Sequence, residues 1–452
     1  MSRSDQIHKI FYDTFVESQY WPREKIREFQ AEQLTRLLKH AREHVPFYRN
    51  RLDAAFDSND RFSWSRWNEI PILTRSDIME SGEKMQSLSL PTDHGATNRS
   101  TTSGSTGAPL TIVASSYAGI ATRAAVNRCQ AWHGLDWSND LLFYTEEREN
   151  SGVWPNVETG RPWGPPWLPQ STGRSLRFNG DTSPSNILDF ITEHHITYLS
   201  CRAKVAQVLA LEAERLGRSA LLDAVFAFST ATYQDERDDV ARVLGGRILS
   251  FYSSKEGHLM AYQCPTGNHL HISEDTALIE LVDGDNRPVP PGTPGRVVVT
   301  NLFNWAQPLV RYEHGDIAVE AEEPCACGRS FRSLNKIVGR VTDMFRFVDG
   351  TSVAFALPEN VKRDLKIKTW QVAQVGPMQL EVRYSLLGDS TTINAERADA
   401  IIRARTHPSV EIAFVKTTNF LPASGRKFAE YVNEFERTID QSVDSRMHSP
   451  SI

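Results

Sequence analysis

Ser100-Thr101-Thr102-Ser103-Gly104-Ser105-Thr106-Gly107-Ala108-Pro109-Leu110 is the stretch from which the rest of the chain is read. Hydroxyl residues crowd two glycines, and the apolar run Leu110 to Val113 follows at once. Gly104 and Gly107 permit backbone geometry that a Cβ forbids, so successive N–H groups can turn inward. A nest of N–H groups with Ser and Thr hydroxyls added suits a polyphosphate. No Gly-Lys-Ser/Thr follows the glycines, so this is not the P-loop of the NTPases. A Ser/Thr-rich surface loop has the same composition, and the stretch alone does not separate the two readings.

Three later stretches do. Tyr252-Ser253-Ser254-Lys255-Glu256-Gly257, Arg311-Tyr312-Glu313-His314-Gly315-Asp316 and Gly339-Arg340-Val341-Thr342-Asp343 follow in that order. With the glycine loop they resemble the ordered signatures of the adenylate-forming enzymes: acyl-CoA synthetases, adenylation domains and luciferases. In that superfamily the signatures are the phosphate loop, Tyr-Gly-x-Thr-Glu, Tyr-Arg-x-Gly-Asp and the Gly-Arg-x-x-Asp hinge. One match is weak; four in order are strong. Val45-Pro46-Phe47-Tyr48-Arg49 resembles the entry of the phenylacetate–CoA ligase branch, and the run from Ile70 to Ile78 resembles the phrase that follows it there. The resemblance spans nearly the whole chain and extends to the branch's capsule-biosynthesis relatives. It implies an α/β fold. A large N-terminal adenylate-forming domain, residues 1–338, has parallel sheets covered by helices; a small α+β C-terminal domain, residues 339–452, follows a hinge near 339–343.

Composition agrees. At 452 residues the chain can bury a large core and form two or more domains. Hydrophobic residues at 40% and charged residues at 23% are ordinary for a soluble globular protein. The net charge of −6 gives no reason to expect nucleic acid or an anionic membrane as partner. No apolar run reaches the length of a membrane span, and Met1 to Gln6 is polar with no signal core behind it. Five cysteines, an odd and low number, argue against a secreted disulfide framework. The expectation is a cytoplasmic enzyme.

Residues 6–52 read as helical, with Leu34, Leu37 and Leu38 on one face and a stop at Pro46. Thr74 or Ser76 can cap a helix after Pro71, and another helix is expected from about Tyr117 to His133. Asn150 to Asn179, rich in Trp, Pro and Gly, shows no helical or strand period; it is either a surface loop pinned by aromatics or one wall of an acyl pocket. Strands at 196–200, 224–228 and 248–252 then alternate with helices at 203–216 and 236–244, the rhythm of a parallel sheet. Ligands of such sheets sit at the carboxyl ends of strands, where Ser229-Thr230-Ala231 and Tyr252 to Glu256 fall. In the tail, strands are expected near 378–384 and 411–415 and helices near 395–405 and 430–439.

Adenylation joins a carboxylate to the α-phosphorus of ATP and expels pyrophosphate, so two anions must be positioned and their charge neutralised. By resemblance Ser103, Gly104, Ser105, Thr106 and Gly107 hold the β- and γ-phosphates, and Glu256 holds Mg²⁺. Asp316 accepts from both ribose hydroxyls, Arg340 reaches the same region, and Tyr252 stacks on adenine, with Ser253, Ser254 and Lys255 along the nucleotide. The bland alternatives are a turn-capping Asp316 and a surface Glu256. Three departures stand out: Lys255 replaces the usual Thr, Ser or Ala, Ser229-Thr230-Ala231 replaces Gly-Gly-Glu, and Thr342 replaces the first acid of the hinge. The tail is expected to supply a catalytic lysine within Ser424-Gly425-Arg426-Lys427; Lys427 is the choice, with Arg426 directly after Gly425 as the alternative.

Cys325-Ala326-Cys327-Gly328-Arg329 resembles the Cys-Pro-Cys-Gly-Arg of the same branch, and Cys264, His269 and His271 lie upstream. Three cysteines and a histidine make the set that structural zinc prefers, here Cys264, His271, Cys325 and Cys327, with His271 favoured over His269. Free buried thiols are the alternative. Cys129 and Cys201 read as core residues.

The resemblance therefore implies ATP-dependent activation of a carboxylic acid to an acyl- or aryl-adenylate, then transfer to a thiol, with CoA the default acceptor. An amine, a hydroxyl or a separate carrier protein is the rival acceptor, and a degenerate nucleotide-binding protein is the rival from another class. A homodimer is left open.

Overall fold

The computed structural model describes the chain except for residues 103–108, 146–149, 169–171, 220–221, 229–233, 341–343, 355–360, 362–363, 387–391, 418–430 and 436–452. The expected phosphate-binding residues Ser103 to Gly107, the stretch Ser229-Thr230-Ala231, Thr342, Asp343, Arg426 and Lys427 all lie outside the described residues. The described residues divide into two compact units, Met1–Ile337 and from Val338 onward.

The first unit opens with helices α1 (Arg3–Ser18) and α2 (Arg23–His44). They are two helices rather than the one expected, because Pro22 takes the N-cap of α2 and α1 has already ended. Thr74 caps α3 (Arg75–Ser81) in a reciprocal capping box with Asp77. The hairpin β1 (Thr97–Thr101) and β2 (Thr111–Ser115) brackets the glycine loop, and α4 (Ser116–Ala131) rises directly from it, capped by Ser115. Then come β3 (Leu141–Thr145), β4 (Glu158–Gly160), β5 (Ser175–Asn179), α5 (Pro184–Glu193), β6 (Tyr198–Arg202), α6 (Ala203–Arg215), β7 (Ala224–Phe228) and α7 (Gln234–Leu244). The strands β8 (Arg247–Ser254), β9 (His258–Gln263), β10 (Leu270–Ile272), β11 (Ala277–Val282), β12 (Pro294–Asn301), β13 (Tyr312–Glu320) and β14 (Ser333–Arg340) complete the sheet.

One sheet carries twelve strands in the order β11-β12-β13-β14-β10-β9-β8-β7-β6-β3-β5-β4. Its β5-β3-β6-β7-β8 part is parallel, with α5, α6 and α7 as crossovers. These strands are buried on both faces, as the unbroken apolar run Ala224–Phe228 requires. The other half is antiparallel, so the sheet is mixed rather than parallel throughout. β8 joins the halves: its first residues pair parallel with β7, and Phe251 to Ser254 pair antiparallel with β9. The Trp/Pro-rich stretch is pinned by aromatics: Trp163 is buried and donates Nε1–H to Asn139 O at 2.8 Å, while Trp154 packs on Phe178. Hidden in its end is β5, which the composition did not reveal.

The second unit has its own core around Phe345, Trp370, Val372, Val382 and Ile402. Beyond β15 (Met344–Arg346) and β16 (Ser352–Ala354) lie β17 (Ile367–Gly376), β18 (Gln379–Leu386), α8 (Ala395–Arg405), β19 (Glu411–Lys416) and β20 (Tyr431–Asn433). The four-stranded sheet runs β19-β18-β17-β20. Tyr431–Asn433, expected to begin a helix, is a strand paired parallel with β17; Val432 gains burial at the sheet edge.

Candidate functional site

Two groups of signature residues do different work. Tyr48 is buried; its hydroxyl donates to Pro308 O at 2.9 Å and accepts from Val310 N–H at 3.1 Å. Arg311 is equally buried, with φ +52. Its guanidinium donates to Asn68 O and Ile70 O at 3.1 and 2.7 Å and pairs with Glu280 at 2.9 Å. Leu73 bridges to Tyr312 beside it. These residues fix where β13 begins.

What they fix is a bulge. Arg296 of β12 stands opposite Ile317 and Val298 opposite Glu313, so His314, Gly315 and Asp316 together face the single residue Val297. Gly315 takes φ +85, which a side chain would resist. The bulge presents His314 and Asp316 to Tyr252 on β8. Tyr252 Oη donates to Asp316 Oδ2 at 2.6 Å, and His314 Nδ1–H donates to the same oxygen at 2.7 Å. The tyrosine oxygen lies 3.0 Å from that Nδ1. All three residues are buried. His314 stands inside the Arg311–Asp316 motif, and nothing in its local sequence marks it as a partner of Asp316.

Glu256 and Lys255 occupy the turn between β8 and β9, which the Ser254 hydroxyl caps by accepting from Gly257 N–H at 2.8 Å. Asn301 Nδ2 donates to Gly257 O at 3.2 Å, tying the turn to the end of β12. Lys255 donates Nζ–H to Thr101 O at 2.8 Å, the last residue of β1, so the unusual lysine links this turn to the edge of the glycine loop. Among the described residues no hydrogen bond or ion pair engages the half-buried Glu256 carboxylate. Arg340, in the second unit, ends β14 as an exposed residue. Next to the turn, His258 has φ +57 and a ring nitrogen, Nδ1, 2.7 Å from Thr122 Oγ1 of α4. Burial pushes His258 down to about 4, so the ring is neutral. Only a long-range contact pairs Thr122 with His258, and no local pattern announces it.

The second cluster lies on the antiparallel half. Cys264, His271, Cys325 and Cys327 offer four ligand atoms within 4.8 Å of one another. Cys264 Sγ is 3.6 Å from Cys325 Sγ, and His271 Nε2 is 3.2 Å from Cys327 Sγ. Tetrahedral zinc with Zn–S near ~2.3 Å sets sulfurs about 3.8 Å apart, so the spacing fits that ion. His271 Nδ1–H donates to Phe331 O at 3.2 Å, which leaves a lone pair on Nε2 aimed at the cluster. His269 Nε2 also lies 3.0 Å from Cys325 Sγ. Burial pushes Cys325 up to about 12 and His271 down to about 4, so without a cation both are neutral. Ion pairs on two buried carboxylates brace the surroundings: Asp275 with the buried Arg128 at 2.7 Å, and Glu274 with the partly exposed Arg332 at 2.9 Å and with Arg23. Cys129 and Cys201 are buried in the core, as read.

No family model matches the chain. Known structures do: a 2-hydroxyisobutyryl-CoA ligase solved with the adenylate R3-HIB-AMP superposes with a TM-score of 0.70, covering 95% of this chain and 94% of that one at 18% identity. The fold is therefore that of the adenylate-forming enzymes. The phenylacetate–coenzyme A ligase of Thermus thermophilus is 30% identical over 343 residues, 72% of each chain. That of Escherichia coli is 25% identical over 334 residues, 71% of this chain and 72% of its own. This chain belongs to the phenylacetate–coenzyme A ligase family.

Proposed function

We propose that the protein activates a carboxylic acid with ATP and passes the acyl group to CoA. A substrate carboxylate oxygen attacks the α-phosphorus, pyrophosphate leaves, and the adenylate carbonyl is then attacked by the thiol with release of AMP. Asp316 accepts from the ribose hydroxyls, and Tyr252 lies against the adenine. Ser103 to Gly107 cradle the outgoing phosphates, Ser253, Ser254 and Lys255 line the nucleotide, and Arg340 and Lys427 of a C-terminal domain of residues 339–452 add positive charge. Glu256 suits Mg²⁺, which is usually held by one or two carboxylates and the phosphates of its substrate and supplies charge neutralisation there. Cys264, His271, Cys325 and Cys327 suit a structural zinc, which holds two chain segments together without entering the reaction.

The observation that supports this reading is the Tyr252–His314–Asp316 group, with Glu256 in the turn that follows the same strand as Tyr252, within a chain of this family. Its test is carboxylate-dependent ATP–pyrophosphate exchange across a panel of acids. Exchange with one class of acid, lost in Glu256→Ala and in Lys427→Ala, is the expected result. Exchange lost in Arg426→Ala and kept in Lys427→Ala moves the catalytic cation by one residue. No exchange with any acid overturns the proposal. Product that forms with hydroxylamine and not with CoA reassigns the acceptor.

A further inference from the structure

We infer that His258 reads the acid: its Nε2 accepts a hydrogen bond from a hydroxyl or amino group on the substrate, so the preferred acid is a hydroxy- or amino-substituted carboxylic acid. The inference rests on the adenylation proposed above.

The first support is position. His258 opens β9 two residues after Glu256, and its backbone pairs with Ser254 across the same turn. Asn301 fixes that turn through Gly257 O. The second is conformation. A φ of +57 is sparsely populated by residues that carry a side chain, and backbone strain of this kind collects where function requires a side chain to point one way.

The third is the tautomer. Thr122 Oγ1 lies 2.8 Å from Ala118 O, to which its hydroxyl donates within α4. With its one proton given to Ala118 O, the same oxygen accepts from His258 at 2.7 Å, and on that basis we assign the ring proton to Nδ1. Nε2 of the neutral imidazole then carries only a lone pair. Among the described residues no hydrogen bond engages Nε2, and the ring is half-buried. A lone pair held in this way pairs with a donor and not with another acceptor. A hard cation such as Mg²⁺ prefers oxygen ligands, so it is not the partner. The helix that orients the ring is the one that rises from the glycine loop, so substrate reading and phosphate positioning share one rigid element.

The test compares matched acids in ATP–pyrophosphate exchange with the full chain: 4-hydroxyphenylacetate against phenylacetate, 2-aminobenzoate and 3-aminobenzoate against benzoate, and 2-hydroxy-2-methylpropanoate against 2-methylpropanoate. We expect the wild type to favour the donor-bearing member of at least one pair by about 10- to 100-fold in kcat/KM. His258→Leu brings that ratio close to one, whatever its absolute rate. Thr122→Val removes the oxygen that sets the tautomer and lowers the ratio part of the way; it carries the test if His258→Leu does not fold. A wild type with no preference in any pair overturns the inference, as does a ratio unchanged in the variants. An unchanged ratio with thioester formation lost overturns it too, and places His258 in acyl transfer. Wild type without exchange on any acid removes the proposed function, and the inference falls with it.

Discussion

The two polar clusters of the first unit differ in what would complete them. Around Asp316 the balance is even: a carboxylate oxygen receives one proton from Tyr252 and one from His314, and the group is satisfied at rest. Around Cys325 the atoms that converge are three sulfurs and a nitrogen whose proton is committed elsewhere, the set that structural zinc prefers. Four such atoms within 4.8 Å of one another match the donor set and spacing of tetrahedral zinc, which is why that ion is proposed there. On the proposed function the first cluster exchanges partners with a nucleotide, and the second holds a cation throughout. Breaking the second should therefore cost the fold, and breaking the first should cost the reaction.

The largest effect is expected at the proposed zinc site. Cys325→Ser should lose the metal, from about one zinc per chain to near none by elemental analysis, and lower stability by about 4 kcal/mol. Urea unfolding followed by fluorescence would read that loss. A variant that keeps its stability and never held metal would mean that the thiols are simply buried.

Asp316→Ala should reverse the pattern. Two charge-assisted hydrogen bonds to a ribose are worth roughly 3 to 4 kcal/mol together, so kcat/KM for ATP should fall about 100- to 1,000-fold. The midpoint of unfolding should move far less than in Cys325→Ser, because the partners left behind are a hydroxyl and an imidazole rather than a charge. Equal losses of stability in the two variants would erase the distinction between the clusters. Tyr252→Phe is the milder probe. It removes one donor and keeps the ring, and a KM for ATP raised about three- to tenfold, with kcat little changed, is the expected outcome of steady-state kinetics.

Much of this was legible in the chain, and the gaps have physical causes. Ala224–Phe228 and Ala395–Arg405 read directly, because an unbroken apolar run and an amphipathic period are local signals. Ser175–Asn179 did not, since Ser175, Arg177 and Asn179 interrupt the apolar run and the Trp/Pro-rich sequence before it hides its start. Tyr431–Asn433 is a strand where the local pattern predicts a helix, because its pairing with β17 outweighs local propensity. At the candidate site the motif residues were named, yet nothing local separates Arg311, which clamps Asn68 and Ile70, from Asp316, five positions on. The Cys/His set was the easiest to find, because few residue types can ligate zinc. His314 and the Thr122–His258 contact were missed because each depends on which strand or helix faces which.

The smallest effect decides a ligand within the second cluster. Two imidazoles reach the sulfurs, His269 at 3.0 Å from Cys325 and His271 at 3.2 Å from Cys327. His271 is fully buried in β10, between β9 and β14, and its Nδ1–H is taken by Phe331 O. That is the arrangement of a ligating histidine, whose second nitrogen is held by a carbonyl. His269 is half-buried just before the strand, and a proton on its Nε2 would serve as a donor to the Cys325 sulfur instead. His269→Asn should then keep its zinc and stay within about 0.5 kcal/mol of the wild type, while His271→Asn sheds the metal. Zinc lost from His269→Asn and retained by His271→Asn would exchange the two assignments and leave the three sulfurs as the proposed zinc's other ligands.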